Sequence, residues 1–517
     1  MLTTEQWQRL YRQIDSVDLR SMLEVRVKGD PEGIAFVYGV GDDRTEKSCS
    51  QFLGDVLALA SHLHDRYQHE KIALIGENSY EWIVGFFATI ISDNVVVPLD
   101  KDLPVTDLDE LVERCGCALL VHSRTYADVA EALGEGRALE TLSMADVAEM
   151  LAGRGEVEFA HRRDPDDVCA IFFTSGTTGS PKGVMLSERN ISHDSYYSIF
   201  DLWLEGDSVL TLPLHHTFSL AVGVIGAYVC GHAIYISRGL RHFAADLVRH
   251  RPASLCVVPL YLETLHKRIW QQAKADGREG RLRRALRLSR VLRRLGIDVR
   301  RRLFGQIHEG LGGRLTDVIC GGAYLDQDYV DFFGDIGINI YNGYGITECS
   351  PIVSVNRAEK SVAHSVGRPV SCLEVATLGG EICVRGDAVM LGYYDDAAAT
   401  REALADGWFH TGDLGYVSDD GYVFMTGRKK NLIILSNGKN VSPEELEGRL
   451  ARIDGVSEVV VTGEGDRIVA EVYSKEGRTV DADVEDLNRR LPPYKRIAEV
   501  RYRDTEFPKT TTQKIKR

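Results

Sequence analysis

"IFFTSGTTGSPKGVMLS", Ile171 to Ser187, joins an apolar run to a cluster of small and polar residues. Residues 174–183 hold three glycines, five hydroxyl side chains and one lysine. The preceding run, Val168 to Phe173, reads as a short buried strand bounded by glycine-rich punctuation. In the following loop Gly176, Gly179 and Gly183 lack a Cβ and permit close backbone approach. Such a loop can turn its N–H groups toward an anion, and Lys182 adds a mobile positive charge. The expected guest is a phosphate. The bland alternative is an ordinary surface loop, which most Gly/Ser/Thr clusters are. The nucleotide loop that ends in Gly-Lys-Ser/Thr does not apply, because Pro181 precedes Lys182 and Gly183 follows it.

The chain has 517 residues, too many for one compact core, and suggests two or more domains. Its 44% hydrophobic and 26% charged residues exclude a disordered chain. A formal charge of −15 argues against nucleic acid as a main partner, since phosphate backbones demand a basic footprint. Ten cysteines are scattered; Cys115 and Cys117 are close, but not at zinc-ribbon spacing. Scattered thiols fit a reducing cytosol. The polar start "MLTTEQWQRLYRQ" lacks the apolar core of a signal peptide. The most apolar segment, Leu220 to Cys230, is too short to span a bilayer. The expected location is cytoplasmic.

Short apolar strands at 71–76, 95–99, 117–123, 168–173, 208–214, 233–237, 255–259 and 317–320 alternate with helical patterns. That alternation predicts α/β layers with largely parallel sheets. From Cys372 to Phe424 strand-like segments predominate. Later, "EELEGRL" and "VEDLNRRL" read as helices, and "VSEVVVTG" and "RIVAEVYS" as strands. The expectation is an α/β domain over residues 1–428, carrying a β-rich subdomain, and a small mobile α+β domain over residues 429–517. Between Gly277 and Arg302 lie eleven arginines, with Leu282, Ala285, Leu286, Leu292 and Leu295 at helical spacing. One reading is a basic amphipathic helix touching anionic lipid. The other is a solvated helix whose apolar stripe packs on its own domain.

Further strings add chemistry: "GGAYLD" at 321–326, "YNGYGITECSP" at 341–351, "GEICVRGDAVMLGYY" at 380–394, "DGWFHTGDLGYV" at 406–417, "GRKKNLIILSNGKNVSPEELE" at 427–447 and "FPKTTTQKIKR" at the end. An aromatic beside glycines can stack on a purine, a hydroxyl can bind phosphate, and a carboxylate can hold Mg²⁺. In this order and at these separations the strings resemble the motif set of the adenylate-forming enzymes, over about residues 50–517. Within that superfamily the chain is most similar to bacterial long-chain fatty acyl-CoA synthetases. "LPLHHTFSL" at 212–220, the basic insert, "FGQIHEGLGGRL" and "GRKKNLIILSNGKNVSPEE" carry that narrower likeness.

The resemblance implies a role for each matching position. Thr174, Ser175, Thr177 and Lys182 would embrace the β- and γ-phosphates of ATP, within a loop completed by Gly176, Thr178 and Gly179. Gly321, Gly322, Ala323 and Tyr344 would frame the adenine, with Gly343 and Gly345 beside Tyr344 and Asn342 near the amino edge. Thr347 would bind the α-phosphate; Glu348, with Thr174, would hold Mg²⁺. Asp413 would accept from both ribose hydroxyls and Arg428 donate to the same sugar. His216 would sit beside the acyl carboxylate, Lys514 would reach in from the small domain, and Lys430 would be the hinge. The pocket for the acid would depend on residues 224–228 and 349–353.

The implied reaction joins a carboxylic acid to AMP with release of pyrophosphate, then transfers the acyl group to coenzyme A. The alternatives are loading of a separate carrier protein, since the sequence ends three residues after Lys514, and a non-catalytic nucleotide-binding or membrane-associated scaffold. Gln513, Asn431, His215 and Tyr324 depart from the usual pattern.

Overall fold

A computed structural model describes residues 2–153, 155, 157–174, 181–436, 439–475, 477–509 and 515. Its architecture is mixed α/β. Strands Val95–Pro98, Lys71–Ile75, Leu119–His122, Glu140–Ser143 and Val168–Thr174 form the parallel part of a seven-stranded sheet. Lys182–Ser187 and Gly392–Tyr393 extend it in antiparallel sense. A nine-stranded sheet is parallel through Ile34–Tyr38, Ile234–Ile236, Ser208–Leu210, Ser254–Val257, Asp317–Cys320 and Asn339–Gly345. The near-continuous burial of these strands fits sheets covered on both faces.

A shared core lies between the two sheets, filled by helices Cys49–Arg66, Tyr80–Ile91 and Glu188–Asp201. Each helix starts where a serine side chain, Ser48, Ser79 or Ser187, accepts a backbone N–H of the first turn. Glu188 is buried in this layer and accepts from the Leu19 N–H at 2.9 Å. The apolar segment at 220–230 is also internal. Ser219–Gly226 forms a π-helical turn, a form often found near functional sites.

The expected β-rich stretch is a four-stranded antiparallel sheet of Leu373–Leu378, Glu381–Gly386, Phe409–Val417 and Val423–Arg428. Beyond it, Glu458–Glu464, Arg467–Tyr473 and Ile497–Arg503 form a separate sheet against helices Pro443–Leu450 and Asp481–Arg490, with its own apolar cluster.

The arginine-rich stretch is two helices, Glu279–Arg294 and Arg300–Leu303, broken around Gly296, whose φ is 75°. Leu282 and Leu286 are buried against the second sheet's outer core and Ala285 packs at its edge. Leu295, read as part of the same stripe, is instead 69% exposed, because the helix ends there. Leu288, Val291 and Ile297 are exposed with it. Among the described residues no helix is long and apolar enough to cross a membrane.

Candidate functional site

A cleft of about 2470 Å³ opens where the parallel strands of the second sheet end and meet the four-stranded sheet and helix Pro443–Leu450. Carboxyl ends of parallel strands are the usual ligand sites of open α/β sheets. Leu212, Ser237, Val258 and Gly322 follow four of those strand ends and all line the cleft.

Thr174 and Lys182 face each other as antiparallel partners, so the ends of the intervening loop are fixed together. Ser175, Gly176, Thr177, Thr178 and Gly179 lie outside the described residues. A side chain at Gly183 would be crowded, its Cβ 3.1–3.2 Å from Ile171, Phe173 and Tyr394. Lys182 Nζ stands 4.6 Å from the centre of the Tyr393 ring. The Tyr393 hydroxyl donates to Glu348 Oε1 at 2.9 Å. Burial and the Glu348 charge raise the Tyr393 pKa well beyond its ordinary value, so the phenol stays a donor. The sequence reading gave Tyr393 no role, although it sits in the quoted "LGYY".

Asn342, Gly343, Tyr344 and Gly345 run along one strand into the turn Thr347–Cys349, and Gly322 and Ala323, which follow the neighbouring parallel strand, line the cleft beside them. Gly345 is packed against the Pro351 carbonyl and could carry no Cβ without displacing it. Gly321 faces the other way, with the Phe218 ring 3.2 Å from where its Cβ would be. Tyr344 donates to Asp413, which is 3% exposed. Arg428 Nε lies 2.8 Å from the other oxygen, Asp413 Oδ1, and the two residues are direct cross-strand partners. A carboxylate has about four lone-pair positions, so Asp413 keeps acceptor capacity for a ligand.

His216 lines the cleft, its ring 4.2 Å from that of His215. Burial, then the charge of Lys101, depress the His215 pKa to about 3. Its Nε2 lies 3.4 Å from Asp100 Oδ1 but completes no hydrogen bond, so this is not an ion pair. Asn78 was not foreseen. Its amide donates to Leu212 O at 2.8 Å and accepts from Leu214 N at 3.1 Å, fixing the segment that presents His216. A lone asparagine in a loop carries no pattern that could have revealed this.

Lys430 lies in the turn Lys429–Asn431, between the four-stranded sheet and the C-terminal elements, and lines the cleft. Asn431 donates its amide to Glu444 at 2.6 Å, a bond an ionised carboxylate could not supply. Arg452 reaches across to Asp326 at 2.6 Å, and Tyr324 covers Gly448. Tyr324 and Arg452 thus help join the C-terminal elements to the large ones. Lys514 lies outside the described residues; Ile515, next to it, lines the cleft. Among the described residues no three His, Cys, Asp or Glu gather as a metal cage.

A second, mainly apolar cavity of about 90 Å³ adjoins the cleft and shares Phe218, Gly322, Gly343, Tyr344, Gly345 and Pro351 with it. From the two segments expected to shape the acid pocket, Gly226, Ala227, Pro351 and Ile352 line it. Ser208, His232 and Cys256 line it too, and no motif marked them.

A family model described as "AMP-binding enzyme" matches residues 23–394. A long-chain-fatty-acid–CoA ligase of Mycobacterium bovis is 28% identical over 491 residues, covering 86% of this chain and 80% of that protein. Long-chain-fatty-acid–CoA ligase 5 of Rattus norvegicus is 30% identical over 471 residues, covering 80% of this chain and 68% of that protein. An o-succinylbenzoate–coenzyme A synthetase from Bacillus subtilis, solved with AMP, has the same fold, with a TM-score of 0.77 over 96% of both chains at 21% identity. By the span of the matched model and the identity to the rat relative, the chain belongs to the family of AMP-binding enzymes.

Proposed function

We propose that the protein activates a medium- or long-chain fatty acid with ATP, forming acyl-AMP and pyrophosphate, and passes the acyl group to coenzyme A with release of AMP. The observation that carries this is the junction of two unlike spaces. A polar cleft gathers Thr174, Lys182, Thr347, Glu348, Asp413, Arg428 and His216, and an apolar cavity opens from it past Phe218. An acid with a hydrocarbon tail needs both. The fatty-acid ligases among the relatives support the tail.

In this reading the chemistry is charge management. A carboxylate must approach the α-phosphate while pyrophosphate leaves in line, so preplaced donors and cations supply most of the acceleration. Lys182 and Thr174 would hold the β- and γ-phosphates, and Thr347 the α-phosphate. Gly321, Gly322, Ala323, Asn342 and Tyr344 would frame the base, and Asp413 with Arg428 would orient the ribose. His216 would hold the acid's carboxylate, and Lys514 would bridge the two anions. Glu348 fits Mg²⁺, which takes one or two carboxylates plus substrate phosphates rather than a protein cage. Bound there, that ion would neutralise phosphate charge. The division at residues 428/429, with Lys430 as hinge, belongs to the same proposal: the C-terminal elements would swing between the two half-reactions. The exposed leucines and arginines of 277–302 are proposed as a peripheral contact with anionic lipid.

ATP–pyrophosphate exchange over a panel of carboxylic acids, with Mg²⁺ and with or without coenzyme A, tests this reading. Exchange that depends on a fatty acid, followed by thioester formation, is expected. Exchange with short or aromatic acids alone removes the fatty-acid assignment, acyl transfer to a carrier protein alone replaces the acceptor, and no exchange with any acid removes the enzyme reading.

A further inference from the structure

The cavity beside the cleft is apolar along its walls but not at its far end. Its near end is the neck shared with the cleft, at Phe218 and Gly322. Its far end lies where strands Ser208–Leu210 and Ser254–Val257 begin, and there Ser208, Cys230, His232 and Ser254 line it. From Val258, on the cleft, to Ser254 is four strand steps, about 13 Å at about 3.3 Å per residue. That is the reach of a medium-length acyl tail.

The far end is closed. Arg26 donates to the Gly231 carbonyl at 3.0 Å and stacks on Trp7 at 4.7 Å. Both residues are buried, and a Cβ on Gly231 would meet the Trp7 ring at 2.7 Å. The N-terminal helices that carry Trp7 and Arg26, Thr4–Tyr11 and Leu19–Gly29, therefore seal the floor.

At this floor Ser254 is satisfied, donating to Gly206 O at 3.2 Å. His232 and Ser208 are not. They are 6% and 4% exposed, and neither side chain has a hydrogen-bond partner among the described residues. Ser208 N donates to the carbonyl of Ala233, the residue after His232, at 3.0 Å, and Ser208 and His232 both line this floor. Burial and the Arg26 charge hold the His232 pKa down at about 3, so the ring is neutral, with one N–H donor and one acceptor nitrogen. Buried polar groups are normally paired, and a hydrocarbon tail filling this space would leave both groups without partners.

We propose that His232, with Ser208, recognises an uncharged hydrogen-bonding group at the far end of the acid, so that the preferred substrate is a medium-length acid bearing a terminal hydroxyl or carbonyl. This rests on the acid-activating reading of the cleft. A site built around buried polar groups discriminates strongly against a substrate that lacks the matching group.

The test compares decanoic acid with ω-hydroxydecanoic acid in ATP–pyrophosphate exchange, using the full chain as wild type, His232→Leu, His232→Gln and Ser208→Ala. The expected wild-type ratio of kcat/KM favours the hydroxy acid by about tenfold or more. His232→Leu should reverse that preference by improving the plain acid, Ser208→Ala should reduce it, and His232→Gln should keep part of it. Equal or inverted preference in the wild type overturns the inference while leaving acid activation intact. So does a ratio unchanged in both His232→Leu and Ser208→Ala. If His232→Leu fails to fold, the wild-type ratio and Ser208→Ala decide alone. No exchange with any acid removes the acid-activating reading, and the inference with it.

Discussion

Tyr344 donates its phenolic proton to Asp413 Oδ2 at 2.7 Å, tying the strand that carries the glycine-flanked aromatic to the strand proposed to hold the ribose. Asp413→Asn removes a charge-assisted acceptor worth on the order of 1.5–3 kcal/mol per bond. ATP affinity should fall by about tenfold or more, with little change in melting temperature. Tyr344→Phe should weaken ATP by less, since the carboxylate remains. Calorimetric titration with ATP checks both; unchanged affinity in Asp413→Asn would leave Asp413 a structural partner of Arg428.

The two half-reactions should separate by mutation. Lys514→Ala removes the cation proposed to bridge two anions, so acyl-adenylate formation should collapse while a supplied acyl adenylate is still converted to thioester. Lys430→Pro fixes φ near −65° and restricts Lys429 before it. It should spare adenylation and cripple thioester formation. Stopped-flow measurement of each step checks the pair, and a normal second step in Lys430→Pro would remove the swinging-domain proposal.

Glu188 makes stability depend on pH. Burial, then the neighbouring Asp18 charge, raise its pKa from 4.5 to about 7. A carboxyl raised in the folded state favours folding while protonated. Its contribution is fully present below pH 4.5 and is lost as pH rises through about 7. Glu188→Gln keeps an acceptor for the Leu19 N–H without the charge. At pH 8 it should be more stable than wild type, by on the order of 3 kcal/mol at most. Urea unfolding of both proteins at pH 5 and pH 8 checks this; the gain should be much smaller at pH 5.

Vesicles of anionic and zwitterionic lipid test the surface formed by Leu288, Val291, Leu295 and Ile297 among the arginines. Sedimentation with anionic vesicles at low salt is expected, fading as salt screens the charges. No binding at low salt returns the segment to a solvated helix packed through Leu282 and Leu286.

The sheets were legible because parallel strands buried on both faces leave unbroken apolar runs such as residues 72–75. The cleft was legible where a motif recurs as a string, so Thr174, Lys182, Glu348, Asp413 and Arg428 could be named and then found lining one space. Asn78, Tyr393 and Arg452 were not, because each acts through partners distant in sequence. Leu295 shares the spacing of the buried Leu282 and Leu286 but is exposed, because helical spacing does not say where a helix stops.

Asp413 and Arg428 oppose each other across a hairpin whose turn, Ser418 to Tyr422, is closed by Ser418 N on Tyr422 O at 2.9 Å. An irregularity after Leu414 already adjusts the pairing once, and Gly415 fits there because the Phe424 carbonyl occupies the place of a Cβ. Side chains alternate faces along a strand, so a one-residue slip would turn Arg428 away from Asp413. The tip of this hairpin can therefore vary in composition far more freely than in length. With Asp413 and Arg428 in their proposed ribose role, a single deletion there should weaken ATP binding as a substitution of either residue would.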